Sequence, residues 1–207
     1  MIYGWICDGY YTTDDFESYD PVTKKYVLKD GQADATALLG GQIGTRPGTI
    51  KLRDISGADG VPDGVVDSYD RTIIGDTNPV CQGGFGLSGT FLRDFDFTAN
   101  FTYSIGNDVY NANKIASSQQ YRSGSYPNML NDFRPSNAYS YLNPQTGELL
   151  TTLEESAYWN EGANAKEYWS PYSFGSAVVV PTSWAMEDAS FLRLQSLTLG
   201  YTLPKAL

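Results

Sequence analysis

Five aspartates fall between two apolar runs in GTIKLRDISGADGVPDGVVDSYDRTIIG, residues 48–75. Asp59, Asp63, Gly64, Val66 and Asp70 occupy positions 1, 5, 6, 8 and 12 of a calcium loop of the EF-hand type. Carboxylates at such intervals converge on one hard cation when the glycine allows a sharp turn and the branched residue anchors the coil. The Val65 carbonyl and Asp67 complete the expected shell, with Asp54 and Ser56 as alternative ligands if the coil is stretched. The pattern departs from the motif at Val61, at Pro62 and at Asp70, which stands where a longer, bidentate Glu is usual. A solvated Asp/Gly turn that binds nothing has the same composition, and that alternative stays open.

A second group of residues is suited to recognition. Residues 106–175 form a long polar insertion rich in Tyr, Asn and Ser, including Tyr121, Tyr126 and Tyr172. The pairs Tyr158-Trp159 and Tyr168-Trp169 stand ten residues apart among few aliphatic partners. Aromatic faces beside amides suit stacking on sugar rings or gripping peptides, so these four are the candidate substrate-binding residues. Aromatics that merely pack a folded loop are the competing reading.

Other chemistry is excluded or weak. With no histidine, Ser-His-Asp and Cys-His catalysis and histidine zinc sites are absent. Cys7 and Cys81 read as unpaired bystanders. Gly84, Gly86 and Gly89 match a dinucleotide fingerprint formally, but no helix pattern follows and they read as strand glycines. A net charge of −10 argues against nucleic acid, which needs a basic surface to displace counterions.

The elements that carry these residues are β-type. The chain of 207 residues has 16 Tyr, 9 Phe, 4 Trp and 21 Gly with only 18% charge, a composition of barrels and sandwiches. No apolar run approaches a membrane helix, so a membrane role must use strands. Phe95, Phe97, Ala99, Phe101, Tyr103 and Ile105 alternate with Asp96, Thr98, Asn100, Thr102 and Ser104. This gives an eleven-residue strand with one greasy and one wet face, long enough to cross a bilayer at a tilt. Phe85, Leu87 and Phe91 repeat the scheme before a tight turn at Leu92-Arg93-Asp94. Residues 191–201 form another strand, in which Leu192 and Leu194 are out of phase with Leu197, Leu199 and Tyr201 unless a bulge lies near Gln195-Ser196. Tyr201 and Pro204 suit an interfacial end. Residues 1–47 suggest one short strand, a loop and a helical turn near Ala33–Leu39.

Three blocks also resemble one family. KLRDISGADGVPDGVVDSYDRTIIGDTNP resembles the acidic signature of the SusC/RagA TonB-dependent outer-membrane transporters of Bacteroidota. GGFGLSGTFLRDFDFTANFTYSIGNDVYN and EDASFLRLQSLTLGYTLPK resemble its following hairpin and its ED(G/A)S(Y/F)LRL block, in the family's order, with residues 58–62 as an insertion. The resemblance implies an all-β fold, part of one transmembrane antiparallel β-barrel over residues 1–207. Its parts would be a loop-rich segment (1–47), an acidic calcium-loop-like turn (48–76), a transmembrane hairpin (83–106), a long extracellular loop (107–175) and further barrel strands (176–207). The plug domain and final strands would lie outside this chain, and the start has no export signal, as expected of a fragment. It implies TonB-driven uptake of glycans or peptides at the outer membrane with a SusD-like lipoprotein, outer-membrane lipid around the strands and no catalysis. The residues alone leave two alternatives: a secreted, calcium-braced β-sandwich that binds carbohydrate, and a glycosidase using Glu154, Glu155 or Glu161.

Overall fold

The computed structural model describes residues 1–40, 44–118, 128–171 and 180–203. Tyr121, Tyr126, Tyr172 and Pro204, singled out above, lie outside these. Strand is the dominant regular structure: β1 (Ile2–Gly4), β2 (Cys7–Tyr10), β3 (Phe16–Asp20), β4 (Lys25–Leu28), β5 (Ile50–Leu52), β6 (Thr72–Gly75), β7 (Cys81–Phe91), β8 (Phe95–Ile105), β9 (Asp108–Tyr110), β10 (Met186–Asp188) and β11 (Phe191–Tyr201). Two short α-helices accompany them, α1 (Ala112–Ala116) and α2 (Leu153–Asn160). The backbone divides into two compact units, one of residues 1–2, 75–110 and 186–207, the other of residues 3–74 and 111–185.

The first unit is built on an antiparallel sheet in the order β11-β8-β7. Strands β8 and β11 have the bounds that alternation sets in the sequence. The turn between β7 and β8 pairs Phe91 with Phe95, and Leu92 and Arg93 take left-handed φ of 51° and 67°. The register places one apolar row after another on a single face: Phe91-Phe95-Tyr201, Gly89-Phe97-Leu199, Leu87-Ala99-Leu197, Phe85-Phe101-Leu194 and Gly83-Tyr103-Leu192. The bulge expected near Gln195 is present, because the register shifts between Leu194 and Ser196. Without it Leu192 and Leu194 would turn to the polar face, since a slip of one residue inverts a strand.

Rings stack along this face. Phe85 lies 5.0 Å from Phe101, Phe91 5.3 Å from Phe95, and Phe95 4.6 Å from Tyr201. At Gly89 an added Cβ would stand 2.7 Å from the Phe97 ring, so the glycine is what lets that ring lie on the strand. The opposite face carries Ser88-Thr98-Thr198 and Gly86-Asn100-Ser196, with Asn100 Nδ2 donating to Ser196 Oγ at 3.0 Å. Phe85, Leu87, Leu194, Leu197 and Leu199 are all exposed, Leu199 by 71%. Leaving so many large apolar chains about half exposed or more on one sheet face forgoes about half of the roughly 1.5–3 kcal/mol that full burial of each would contribute. The outer edges of β7 and β11 have no strand partner among the described residues, so the sheet is open rather than closed.

The second unit has its own core of Trp5, Tyr11, Phe16, Tyr26, Leu52, Val66, Phe133, Trp169 and Val180. Small ladders frame it, β2 with β5 and β3 with β4. Residues 1–47 therefore hold more strand than expected: the β3–β4 hairpin escapes notice because its turn, Pro21-Val22-Thr23-Lys24, lacks glycine and Lys24 supplies the left-handed φ of 59° itself. The helical turn near Ala33–Leu39 is a π-type turn over Thr36–Gly40. Segments 3–74 and 111–185, far apart in sequence, build this unit together. Cys7 and Cys81 are free thiols.

Candidate binding and metal sites

The acidic coil is organised by Asp70. It is buried, 1% exposed, and its Oδ1 accepts the backbone N–H groups of Ile55 and Ser56 at 2.7 and 3.1 Å while Oδ2 accepts that of Asp67 at 2.7 Å. Asp67 in turn caps the 3-10 turn Ser68–Asp70 by accepting from Tyr69 N at 2.7 Å. Val66 is fully buried, as an anchoring residue should be, and Gly64 has φ 82°, the conformation that the sharp turn needs. A two-way backbone exchange, Asp34 N to Gly64 O and Val66 N to Asp34 O, fastens the coil to the preceding segment.

The remaining acids do not all join this arrangement. Asp63 Oδ1 accepts from Val65 N at 3.0 Å, whereas Asp59 is exposed beside the Gly60 turn. The residue that sits across the coil is Asp54, whose Oδ2 accepts from Gly64 N at 2.7 Å. Its Oδ1 is buried without an N–H or hydroxyl donor; desolvation, then the charge of the Asp70 carboxyl that it contacts and that of Asp63, raises its pKa. Counting from Asp54 and leaving out 58–62, Ser56, Asp63, Gly64, Val65, Asp67 and Asp70 fall at positions 3, 5, 6, 7, 9 and 12. The five-residue insertion hides this register, because counting back from Gly64 without a gap lands on Asp59. Among the described residues no group of three or more Asp, Glu or Cys side chains is arranged to hold a metal ion. Asp70 shows the physical reason: both its oxygens are turned to backbone amides.

The two aromatic pairs part company. Tyr158 and Trp159 lie on α2 as a T-shaped pair 4.9 Å apart, Tyr158 67% exposed and Trp159 half-buried. Thr152 caps the helix by accepting from Glu155 N at 3.1 Å, with Glu154 and Glu155 in its first turn. Trp169 is only 4% exposed and belongs to the core, with Phe133 at 5.2 Å and Trp184 at 4.7 Å. Tyr168 is half-buried against Phe133 at 5.0 Å. Tyr139 and Tyr141 are buried too, so much of the insertion's aromatic content packs the insertion itself.

Glu161, a glycosidase candidate, is held by Thr13 N and Thr13 Oγ1 at 2.8 and 2.7 Å and by the Tyr139 hydroxyl at 3.2 Å. Burial, then this carboxylate, drives the Tyr139 pKa far above its ordinary value. Three donors on one carboxylate tie the start of the chain to the end of α2.

Sequence reasoning missed a groove in the second unit. It has a volume of about 530 Å³ and is lined by Tyr10, Tyr168, Trp169 and Trp184 with Asp8 and Glu167. The signal was divided among residues 7–12, 167–169 and 183–184, so no local pattern announces it.

No protein-family model matches the chain, and no curated protein matches it. Among solved structures, it aligns with a chain of the RagAB peptide importer in its closed-closed state, at 20% identity and a TM-score of 0.45. That alignment covers 99% of this chain and 16% of the importer chain, so the sequence spans about a sixth of that chain's length.

Proposed function

We propose that this chain is part of a transmembrane β-barrel transporter in the outer membrane, of the SusC/RagA type, which takes up large nutrients, glycans or peptides, with a SusD-like lipoprotein and TonB-derived energy. The observation that carries the reading is the β7-β8-β11 face. Three strands of eleven residues each present one continuous apolar, ring-rich face that stays exposed, and one polar face of small side chains. Lipid on the first and a watery lumen on the second suit that pattern, and the open edges are where further barrel strands would bond. In this reading residues 107–175 are the extracellular loop, and no residue acts as a catalyst. A soluble carbohydrate-binding sandwich would instead cover the apolar face with a second sheet.

Nitroxide labels at positions 97, 98, 100 and 101 of the full-length protein in lipid vesicles test this. Labels at 97 and 101 are expected to meet dissolved oxygen, and those at 98 and 100 a water-soluble nickel chelate. The reverse pattern, or chelate access at all four, would sink the barrel reading.

The acidic coil enters the proposal as a calcium-braced turn whose first ligand is Asp54 rather than Asp59. Support comes from the Asp54 oxygen that has no donor and from the spacing left when 58–62 are set aside. Calorimetric titration of the full-length protein with calcium is expected to weaken at least tenfold in Asp54→Asn and in Asp63→Asn, and to be unchanged in Asp59→Asn. Heat that disappears only with Asp59→Asn, or no heat from the unaltered protein, would leave a turn closed by its own hydrogen bonds.

A further inference from the structure

The second unit treats its own cations in a consistent way. The Arg46 guanidinium lies 5.5 and 5.3 Å from the Tyr26 and Tyr141 rings, Lys51 Nζ 5.3 Å from Tyr11, Arg71 5.3 Å from Trp5 and Lys114 Nζ 4.3 Å from Trp184. The groove described above has rings of the same kind: Trp184 already carries the Lys114 ammonium, whereas among the described residues no cation lies over Tyr10 or Tyr168. Four aromatic residues line it, and its ionisable lining groups other than phenols and a thiol are the carboxylates of Asp8 and Glu167, with no Lys or Arg. Asp8 is balanced by Arg53, which grips it at 2.9 and 2.6 Å. Glu167 has no ion pair among the described residues. Its neighbour Lys166 is turned away, with Nζ 3.2 and 3.4 Å from the carbonyls of Pro135 and Ser136. The region is negative in consequence: after desolvation, the charges of Glu167 and Asp132 push up the pKa of the Tyr168 phenol.

We infer that this groove is a binding site for a cationic side chain, the lysine or arginine of a peptide, seated beside Tyr10 and Tyr168 with Glu167 as its counter-ion. An ammonium or guanidinium group gains from ring faces and from an unpaired carboxylate together, and each strengthens when the other is present in a partly dehydrated groove. A neutral sugar gains only the stacking. The volume of about 530 Å³ admits one such side chain and the backbone on either side of it. The inference rests on the uptake reading only in calling the peptide a cargo; the groove itself lies wholly within the second unit.

The experiment is calorimetry on the full-length protein with a capped alanine tetrapeptide that carries one lysine, against the same peptide with norleucine and against maltohexaose. The lysine peptide is expected to bind at least tenfold more tightly than either, and more weakly as salt is raised. Glu167→Gln should reduce the lysine preference at least threefold with a nearly unchanged melting temperature, since Glu167 is exposed, its side-chain contact is with the neighbouring Tyr168 phenol, and the amide oxygen of Gln can still accept from that phenol. Equal affinity for lysine and norleucine, tighter binding of maltohexaose, no binding of any probe, or a lysine preference that survives Glu167→Gln would each overturn the inference. Because binding is measured without transport, a positive titration in a protein that imports neither peptides nor glycans removes the uptake reading and leaves the groove assignment standing.

Discussion

Phe101→Lys in the full-length protein reconstituted in lipid vesicles is expected to lower its unfolding free energy by about 2–4 kcal/mol, while Thr98→Lys and Asn100→Lys change it by about 0.5 kcal/mol or less. The side chains differ by three positions or fewer along one strand, so the contrast isolates the face. Phe101 stands in a row with Phe85 and Leu194, the fourth of the five apolar rows counted from the turn. A charge there faces hydrocarbon if the proposal is right, whereas Thr98 and Asn100 neighbour Ser88, Thr198 and Ser196 on the polar side. Urea unfolding in lipid vesicles, followed by tryptophan fluorescence, reads the difference. Equal, small effects at all three positions would mean that water bathes both faces.

The second large effect separates recognition from packing in the aromatic pairs. Trp169→Ala should destabilise the protein by about 3–5 kcal/mol, because it empties a site enclosed by Phe133, Tyr168 and Trp184. The double substitution Tyr158→Ala, Trp159→Ala should cost stability about 1 kcal/mol, yet weaken cargo uptake or lipoprotein association about tenfold or more. Tyr158 has the exposure that a contact surface needs and Trp169 does not. Thermal unfolding and a binding or uptake assay on the same two variants make the comparison. Intact uptake and association in the Tyr158/Trp159 variant would place recognition elsewhere, with the Tyr10–Trp184 groove the next place to look. A Trp169→Ala protein with unchanged melting would contradict its place in the core.

The faces of the long strands, the bounds of β8 and β11 and the bulge in β11 were legible from residue order alone. Alternation has a period of two, which a strand converts directly into sidedness, and a change of phase between Leu194 and Leu197 has few remedies other than an extra residue. The turn at Leu92-Arg93-Asp94 was legible for the same reason, as the point where two alternating runs meet. Local chemistry also fixed part of the acidic coil: Gly64 at the sharp turn and Val66 as the buried anchor both stand where spacing puts them.

What spacing could not give was which carboxylate faces which donor. Asp54 and Asp59 are equally good letters in a motif; only the path of 57–63 through space brings Asp54 to Gly64 and leaves Asp59 in solvent. The aromatic insertion shows the same limit. Tyr158-Trp159 and Tyr168-Trp169 are indistinguishable as dipeptides, and their burial depends on Phe133 and Trp184, which the fold delivers from elsewhere. The groove that joins Tyr10 to Glu167 and Trp184 belongs wholly to tertiary structure. Strand sidedness is a property of neighbours in the chain, whereas burial, charge balance and cavity shape are properties of neighbours in space.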